Sequence, residues 1–310
     1  MSAELADSER FLRERLGSRL RVGFPLAPLT SFRIGGPAAL FIDAEDDGAL
    51  EAIGHAAAQT RVPVVVIGKG SNVLVSDEGF AGIVVRLGRG YRWAGRDGDL
   101  LTAGGAMPLP ALAGIAMRHR LAGLEFGVAI PASLGGAVKM NAGAHGRSMS
   151  EVIERIDVYS LARGARDSVS VDEAGFGYRR SGLPAGDIVV GAVARLETGG
   201  EEEIRVRMEE ARDWRRRTQP LAEPNCGSVF KNPDGDHAAR LIEASGAKGL
   251  RLGGARISEK HSNFIVADRG ASASDVWGLI ERVRALVESQ TGIRLETEVE
   301  LMGAVADAER

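Results

Sequence analysis

The chain has almost nothing that would cross-link it, anchor it in a bilayer or draw it to a polyanion. Cys226 is its one cysteine, so no intrachain disulfide can form and no cysteine-based metal cluster is available. The five histidines (His55, His119, His145, His237 and His261) lie far apart with no i,i+4 pair, and no metal site is expected. No apolar run is long enough to span a bilayer, and Met1-Ser-Ala-Glu-Leu-Ala-Asp-Ser-Glu-Arg lacks the basic-then-apolar order of a secretory signal. A cytoplasmic protein is therefore expected. The net charge of −3 gives no electrostatic reason to expect nucleic acid or a membrane as partner. Aromatic residues are scarce at 5% whereas glycine is abundant at 41 residues, which fits many tight turns around a backbone-lined site.

What is present is ordinary in bulk and unusual in places. A chain of 310 residues, 44% hydrophobic and 26% charged, has length for one large domain or two to three small ones. Within residues 64–77 a β-branched run, Val64 to Ile67, reads as a buried strand; it stops at Gly68-Lys69-Gly70-Ser71-Asn72, and Val73-Leu74-Val75 follows at once. Glycines let successive N–H groups converge, and Ser71 and Asn72 add side-chain donors, so the loop reads as a cradle for the phosphates of a nucleotide cofactor. A ligand-free tight turn is the bland alternative. A Walker A loop is excluded because Pro63 stands where its first glycine belongs, and a dinucleotide fingerprint fails at Val73.

Along the chain, residues 8–20 carry Phe11, Leu12, Leu16 and Leu20 on a helical stripe with Ser8 as N-cap. Residues 30–37 read as a strand running into a turn, residues 40–44 as a second strand, and Asp46-Asp47 opens a helix. Pro108 begins another helix, and residues 152–161 and 188–196 read as strands. Residues 123–146 are nearly free of charge and full of Gly, Ala and Ser, suited to close backbone approach to a ligand or to close packing. Residues 202–218 form a charged helix ending in the basic run Arg212, Arg215, Arg216 and Arg217, which reads as a solvated face. A helix over residues 237–245, a strand over 264–267, a long helix over 274–289 stopped by Gly292 and a strand over 293–302 complete the pattern.

Several residues have chemistry to offer. Ser228 lies in Asn225-Cys-Gly-Ser-Val-Phe-Lys-Asn-Pro233, which lacks the Gly-x-Ser-x-Gly elbow of a serine nucleophile, so a turn residue or a proton donor are the readings left. Tyr178-Arg179-Arg180 offers guanidiniums suited to a carboxylate or an enolate oxygen, or to plain surface ion pairs. Glu296, Glu298 and Glu300 share one face of the last strand, and spacing alone does not single out one of them. The basic loop of residues 248–260 leads into His261-Ser-Asn-Phe and reads as a phosphate-binding rim or a solvated turn.

Taken together, Ser31-Phe-Arg-Ile-Gly-Gly36, Gly68 to Asp77, Ile130-Pro-Ala-Ser-Leu-Gly-Gly-Ala137, Met140-Asn-Ala-Gly143, Tyr178-Arg179, Gly227 to Pro233, His261 to Val266 and Glu298-Val299 stand in the order of one family. Over residues 25–303 the chain resembles the UDP-N-acetylenolpyruvoylglucosamine reductases, flavoenzymes of peptidoglycan precursor synthesis. The short connection at residues 178–188 is similar to the subtype without an extra substrate-covering loop. The resemblance implies an α+β fold with two FAD-binding subdomains of the vanillyl-alcohol-oxidase type (residues 1–88 and 89–218) and a substrate domain (219–310). It implies FAD held by Gly68, Lys69, Gly70, Ser71, Asn72, Val73 and Leu74 on one side and by Ser133, Gly135, Gly136, Ala137, Asn141 and Gly143 on the other. It also implies NADPH as hydride donor, Arg179 and Glu298 stabilising an enolate, and Ser228 giving the proton. Tyr178, Lys231, Asn232, His261 and Asn263 become substrate contacts, the partners are small molecules, and a monomer or weak oligomer is expected. Cys226, Ala129, Ala132 and Glu300 depart from the family's common residues. Another flavin oxidase of the same fold, or a non-catalytic nucleotide-binding module, are the alternatives.

Overall fold

In the computed structural model, which describes residues 2–305, helices and strands mix as expected for an α+β chain. Contacts divide it into two units: residues up to Val22 with Ala39–Lys69 and Gly82–Trp214, and Gly23–Ala38 with Gly70–Ala81 and Arg215 onward.

In the first unit, one sheet runs in the order Leu20–Pro25, Pro37–Ala44, Phe80–Leu87, Val64–Val66. Helix Asp47–Thr60 is capped by the Asp46 carboxylate, which accepts from the Ala49 N–H, and buries Leu50 and Ile53 on that sheet's core. A second, antiparallel sheet has the order Ala165–Ser170, Ile153–Ser160, Asp187–Arg195, Leu100–Gly104, Ala94–Asp97. Helices Leu109–Arg118 and Leu134–Lys139 contribute Leu112, Ala116, Ala137 and Val138 to its core.

The second unit centres on helix Ala273–Thr291, whose Val276, Leu279, Ile280, Val283 and Val287 are buried, and which ends on Gly292 at φ 72°. A three-stranded sheet (Arg251–Leu252, Ala255–Ile257, Ile265–Ala267) and the parallel pair Val73–Val75 with Glu300–Met302 belong to this unit. Asp77 receives the N–H groups of Ala273 (2.7 Å) and Ser274 (3.0 Å), so the end of the Gly68–Asp77 motif ties to the start of the long helix.

Four expectations are corrected. The N-terminal helix is Ala3–Leu16 with Ser2 as its cap; Ser8 is buried within it, bonded to Thr60. Val64–Val66 is a half-exposed edge strand and not a buried one, with Ile67 alone fully buried in that run. Residues 30–36 form turns, and the strand begins at Pro37. Only Glu300–Met302 of residues 293–302 is regular strand; Thr297 makes an isolated bridge to Phe230. The basic stretch at residues 248–260 contains a hairpin, Arg251–Leu252 with Ala255–Ile257.

Candidate active site

The glycines of the 68–72 loop are there because other residues would not fit. Gly70 has φ +59°, and a Cβ on it would lie 2.1 Å from the Leu29 carbonyl oxygen. A Cβ on Gly68 would come within 2.5 Å of the Ser133 hydroxyl, so the loop and the Ser133 segment approach at van der Waals distance. Gly68 and Lys69 are exposed and Ser71 is half-buried. Asn72 differs: its Nδ2 donates to the Glu298 carbonyl at 2.9 Å, so this donor is directed at protein. Val73 and Leu74 pair with Glu300 and Leu301 in the parallel ladder.

The segment 133–137 divides by role. Ser133 is a buried N-cap accepting from Gly136 N at 3.4 Å, and Ala137 is fully buried core. Gly135 is demanded by packing, since a Cβ would lie 2.8 Å from the Val189 carbonyl oxygen. A Cβ on Gly136 would meet only the Ser133 hydroxyl, at 3.4 Å, so nothing in the protein crowds that spot. Gly136 is therefore the glycine here with room beside it, which fits the close approach of a flat or anionic group.

Asn141, Gly143, Tyr178 and Arg179 come together. Asn141 is buried at φ 42°; its Nδ2 donates to Gly177 O (3.0 Å) and its Oδ1 accepts from Ser150 N (2.9 Å). That amide holds the turn carrying Tyr178 and Arg179, where Gly177 and Arg180 form a bridge and Arg179 sits at φ 55°. The Arg179 guanidinium donates to the Gly143 carbonyl (2.9 Å) and lies 5.1 Å from the Tyr178 ring centre. A side chain on Gly143 would run into Arg147 O at 2.3 Å.

Ser228 and Glu298 lie on neighbouring segments of the second unit. Glu298 N donates to Val229 O (2.7 Å) and Lys231 N to Glu296 O (2.9 Å), an antiparallel pairing centred on Phe230 and Thr297. On the other side the buried Asn263 clamps the same segment. Its Oδ1 accepts from Phe230 N (2.9 Å), its Nδ2 donates to Phe230 O (2.8 Å), and its own carbonyl takes Val229 N (2.9 Å). Gly227, at φ 83°, turns the chain into this segment, and Asn225 Oδ1 accepts its N–H at 2.9 Å. Burial, and then the negative charge of Glu298, push the Cys226 thiol well above its ordinary pKa, so it is a small neutral core residue beside the carboxylate.

The other expected substrate contacts have structural partners. Asn232 Oδ1 accepts from Ala238 N (3.0 Å) at the start of helix Ala238–Ala244. Lys231 is 3.4 Å from Glu296. Burial holds His261 below the usual histidine pKa, and its Nδ1 accepts from Asn263 N (3.3 Å), which leaves the neutral ring with its proton on Nε2. Two residues went unnoticed in the sequence. Asp77 caps the long helix, and Lys139 donates to the Leu183 (2.8 Å) and Pro184 (2.7 Å) carbonyls. The signal for Asp77 was the acidic residue closing the motif; nothing local marked the partners of Lys139.

Fold and site define a flavin-binding oxidoreductase. Residues 38–166 match the model of the FAD binding domain, and residues 219–302 match that of the UDP-N-acetylenolpyruvoylglucosamine reductase C-terminal domain. The chain is 43% identical to UDP-N-acetylenolpyruvoylglucosamine reductase 2 of Symbiobacterium thermophilum, over 92% of both chains. It is 41% identical to the reductase of Halalkalibacterium halodurans over 92% of this chain and 94% of that one. The crystal structure of UDP-N-acetylenolpyruvylglucosamine reductase from Thermus caldophilus superposes with a TM-score of 0.79 at 38% identity, covering 91% of this chain and 99% of that one. The chain belongs to the UDP-N-acetylenolpyruvoylglucosamine reductase family.

Proposed function

We propose that this protein uses NADPH to reduce the enolpyruvyl group of UDP-N-acetylglucosamine enolpyruvate, giving UDP-N-acetylmuramate for peptidoglycan synthesis. Family membership supports the reaction, and the uncrowded backbone at Gly136 suits the cofactor. In this reading residues 1–88 and 89–218 serve FAD, and residues 219–310 serve the sugar nucleotide. FAD, held by residues 68–74 and 133–143, would supply the redox chemistry that couples NADPH oxidation to reduction of the substrate's vinyl group.

The protein's own groups handle the charge and the proton. Hydride addition to the terminal carbon leaves an enolate conjugated with the substrate carboxylate. Arg179, presenting a fixed cation, and Glu298, acting as an acid that donates a hydrogen bond, stabilise that charge, and preorganised electrostatics of this kind is usually the largest contribution to catalysis. Ser228 gives its hydroxyl proton to the adjacent carbon, completing addition of H⁻ and H⁺ across the double bond, and is reprotonated from solvent after the product leaves. A serine hydroxyl is a weak acid, so the step draws on the basicity of the enolate. Tyr178, Lys231, Asn232 and His261 border the substrate, and Asn263 serves it through the Phe230 backbone. No described helix is long and apolar enough to cross a membrane, and we place the enzyme in the cytoplasm as a monomer or weak oligomer.

The observation that supports the roles is the backbone pairing of Glu298 with Val229, the residue after Ser228. Its test is Ser228→Ala followed through both half-reactions. Reduction of the flavin by NADPH is expected to persist, and reoxidation by the enolpyruvyl sugar nucleotide to fall ~10²–10⁴-fold. Equal loss in both halves, or in neither, contradicts the role of Ser228.

A further inference from the structure

Asn72 belongs to the glycine loop by sequence, yet its side chain is turned toward the segment that carries Glu298. Its Nδ2 donates to the Glu298 carbonyl at 2.9 Å, and its own carbonyl accepts from Glu300 N at 3.0 Å. A carbonyl needs a donor, so the amide nitrogen and not the oxygen must face Glu298. The regular parallel ladder begins one step later, with Val73 opposite Glu300. Asn72 thus extends the ladder by a side-chain bond where the strand at Glu300–Met302 has not yet begun. On its other side, Glu298 N donates to Val229 O at 2.7 Å, next to Ser228. Both backbone polar groups of Glu298 are thereby pinned, its amide by the Ser228 segment and its carbonyl by Asn72. Pinning both fixes the direction of the Cα–Cβ bond and leaves the carboxyl only its side-chain torsions.

We infer that Asn72 is a positioning residue for Glu298 rather than a ligand of the flavin. The inference rests on the reading of Glu298 proposed above and assigns a task to a residue outside the reacting groups. An aspartate in its place is nearly isosteric but cannot donate at neutral pH and sets a negative charge against the Glu298 carbonyl. A serine is too short to reach it. Displacement of a reacting group by about 1 Å can cost ~10²-fold in rate, so the effect should appear where Glu298 acts and not elsewhere.

The experiment compares wild type, Asn72→Asp, Asn72→Ser, Glu298→Gln and the double variant Asn72→Ser/Glu298→Gln as flavin-loaded enzymes. For both single Asn72 variants, FAD affinity and the rate of flavin reduction by NADPH should change by less than ~3-fold, while reoxidation by the sugar nucleotide falls ~10–100-fold. In the double variant the Asn72 change should add little to the loss already caused by Glu298→Gln, because groups that act through one another are not additive. Weakened FAD binding in parallel with the rate loss, unaltered reoxidation, or a fully multiplicative double variant each overturns the inference. A wild-type enzyme that the sugar nucleotide does not reoxidise refutes the functional reading instead. Hydrogen exchange at the Glu298 and Glu300 amides then decides the coupling alone: faster exchange in both Asn72 variants supports it, and unchanged exchange overturns it.

Discussion

Arg179 is fixed through its side chain and Glu298 through its backbone. The guanidinium of Arg179 leans on the Gly143 carbonyl and the Tyr178 ring, from a turn whose left-handed residue is Arg179 itself. Glu298 instead sits in a run of backbone pairing, between the Val229 carbonyl and the Asn72 amide. A cation that must meet a carboxylate or enolate benefits from a rigid fork, because its donors already point together. A carboxyl that must share a proton with its surroundings needs a fixed origin. The difference predicts where each half of the chemistry is fragile: at the turn amide Asn141 for Arg179, and at the clamp Asn263 for the Ser228–Glu298 pair.

Asn263 should be the costlier of the two to lose. Its side chain satisfies both the N–H and the C=O of the buried Phe230, so Asn263→Leu leaves two buried groups unpaired. At about 1–3 kcal/mol for each such group, a loss of roughly 2–6 kcal/mol is expected from urea unfolding followed by far-UV dichroism. Asn141→Ala removes the bonds to Gly177 and Ser150 and places alanine at a left-handed position that asparagine tolerates better. A loss of about 1–3 kcal/mol is expected in the same assay, with the affinity for the sugar nucleotide reduced more than the rate of flavin reduction. Should Asn141→Ala prove the more damaging to stability, the contrast between side-chain and backbone fixation fails.

The smallest effect is one of pH. Burial lowers the His261 pKa in the folded protein below its ordinary value, so the unfolded chain binds the proton more tightly. Stability from the neutral ring is therefore present above the unfolded value, ~6.5, and is lost as pH falls through that value toward the folded one. Melting temperature should drop across that acid window in wild type and drop less in His261→Gln, which keeps a polar side chain without the titration. Parallel curves for the two proteins would remove His261 from the account of this region.

Much of this was legible because the signals were local. Asp46 announces a helix that begins at Asp47, and Gly70 sits in a loop whose left-handed turn needs glycine. The misreadings come from partners far away in sequence. The alternation Leu295, Thr297, Val299, Leu301 has the period of a strand, yet its hydrogen bonds go to Val229, Lys231 and the Asn72 side chain, and Leu301 is exposed. Asn72 read as one more donor for a ligand because its acceptor lies 226 residues along the chain. Val64 to Val66 looked buried from composition, but edge position is a property of the sheet and not of the run. The partners of Asn232 and Asn263 within the protein, a helix start and the Phe230 backbone, become visible only in the folded chain.

The most direct test is the anaerobic visible spectrum of the purified protein after FAD reconstitution. The account predicts a yellow protein whose flavin band bleaches on addition of NADPH and returns when UDP-N-acetylglucosamine enolpyruvate is added. A colourless protein that takes up no FAD, or a bleached flavin that the sugar nucleotide leaves reduced, would contradict it.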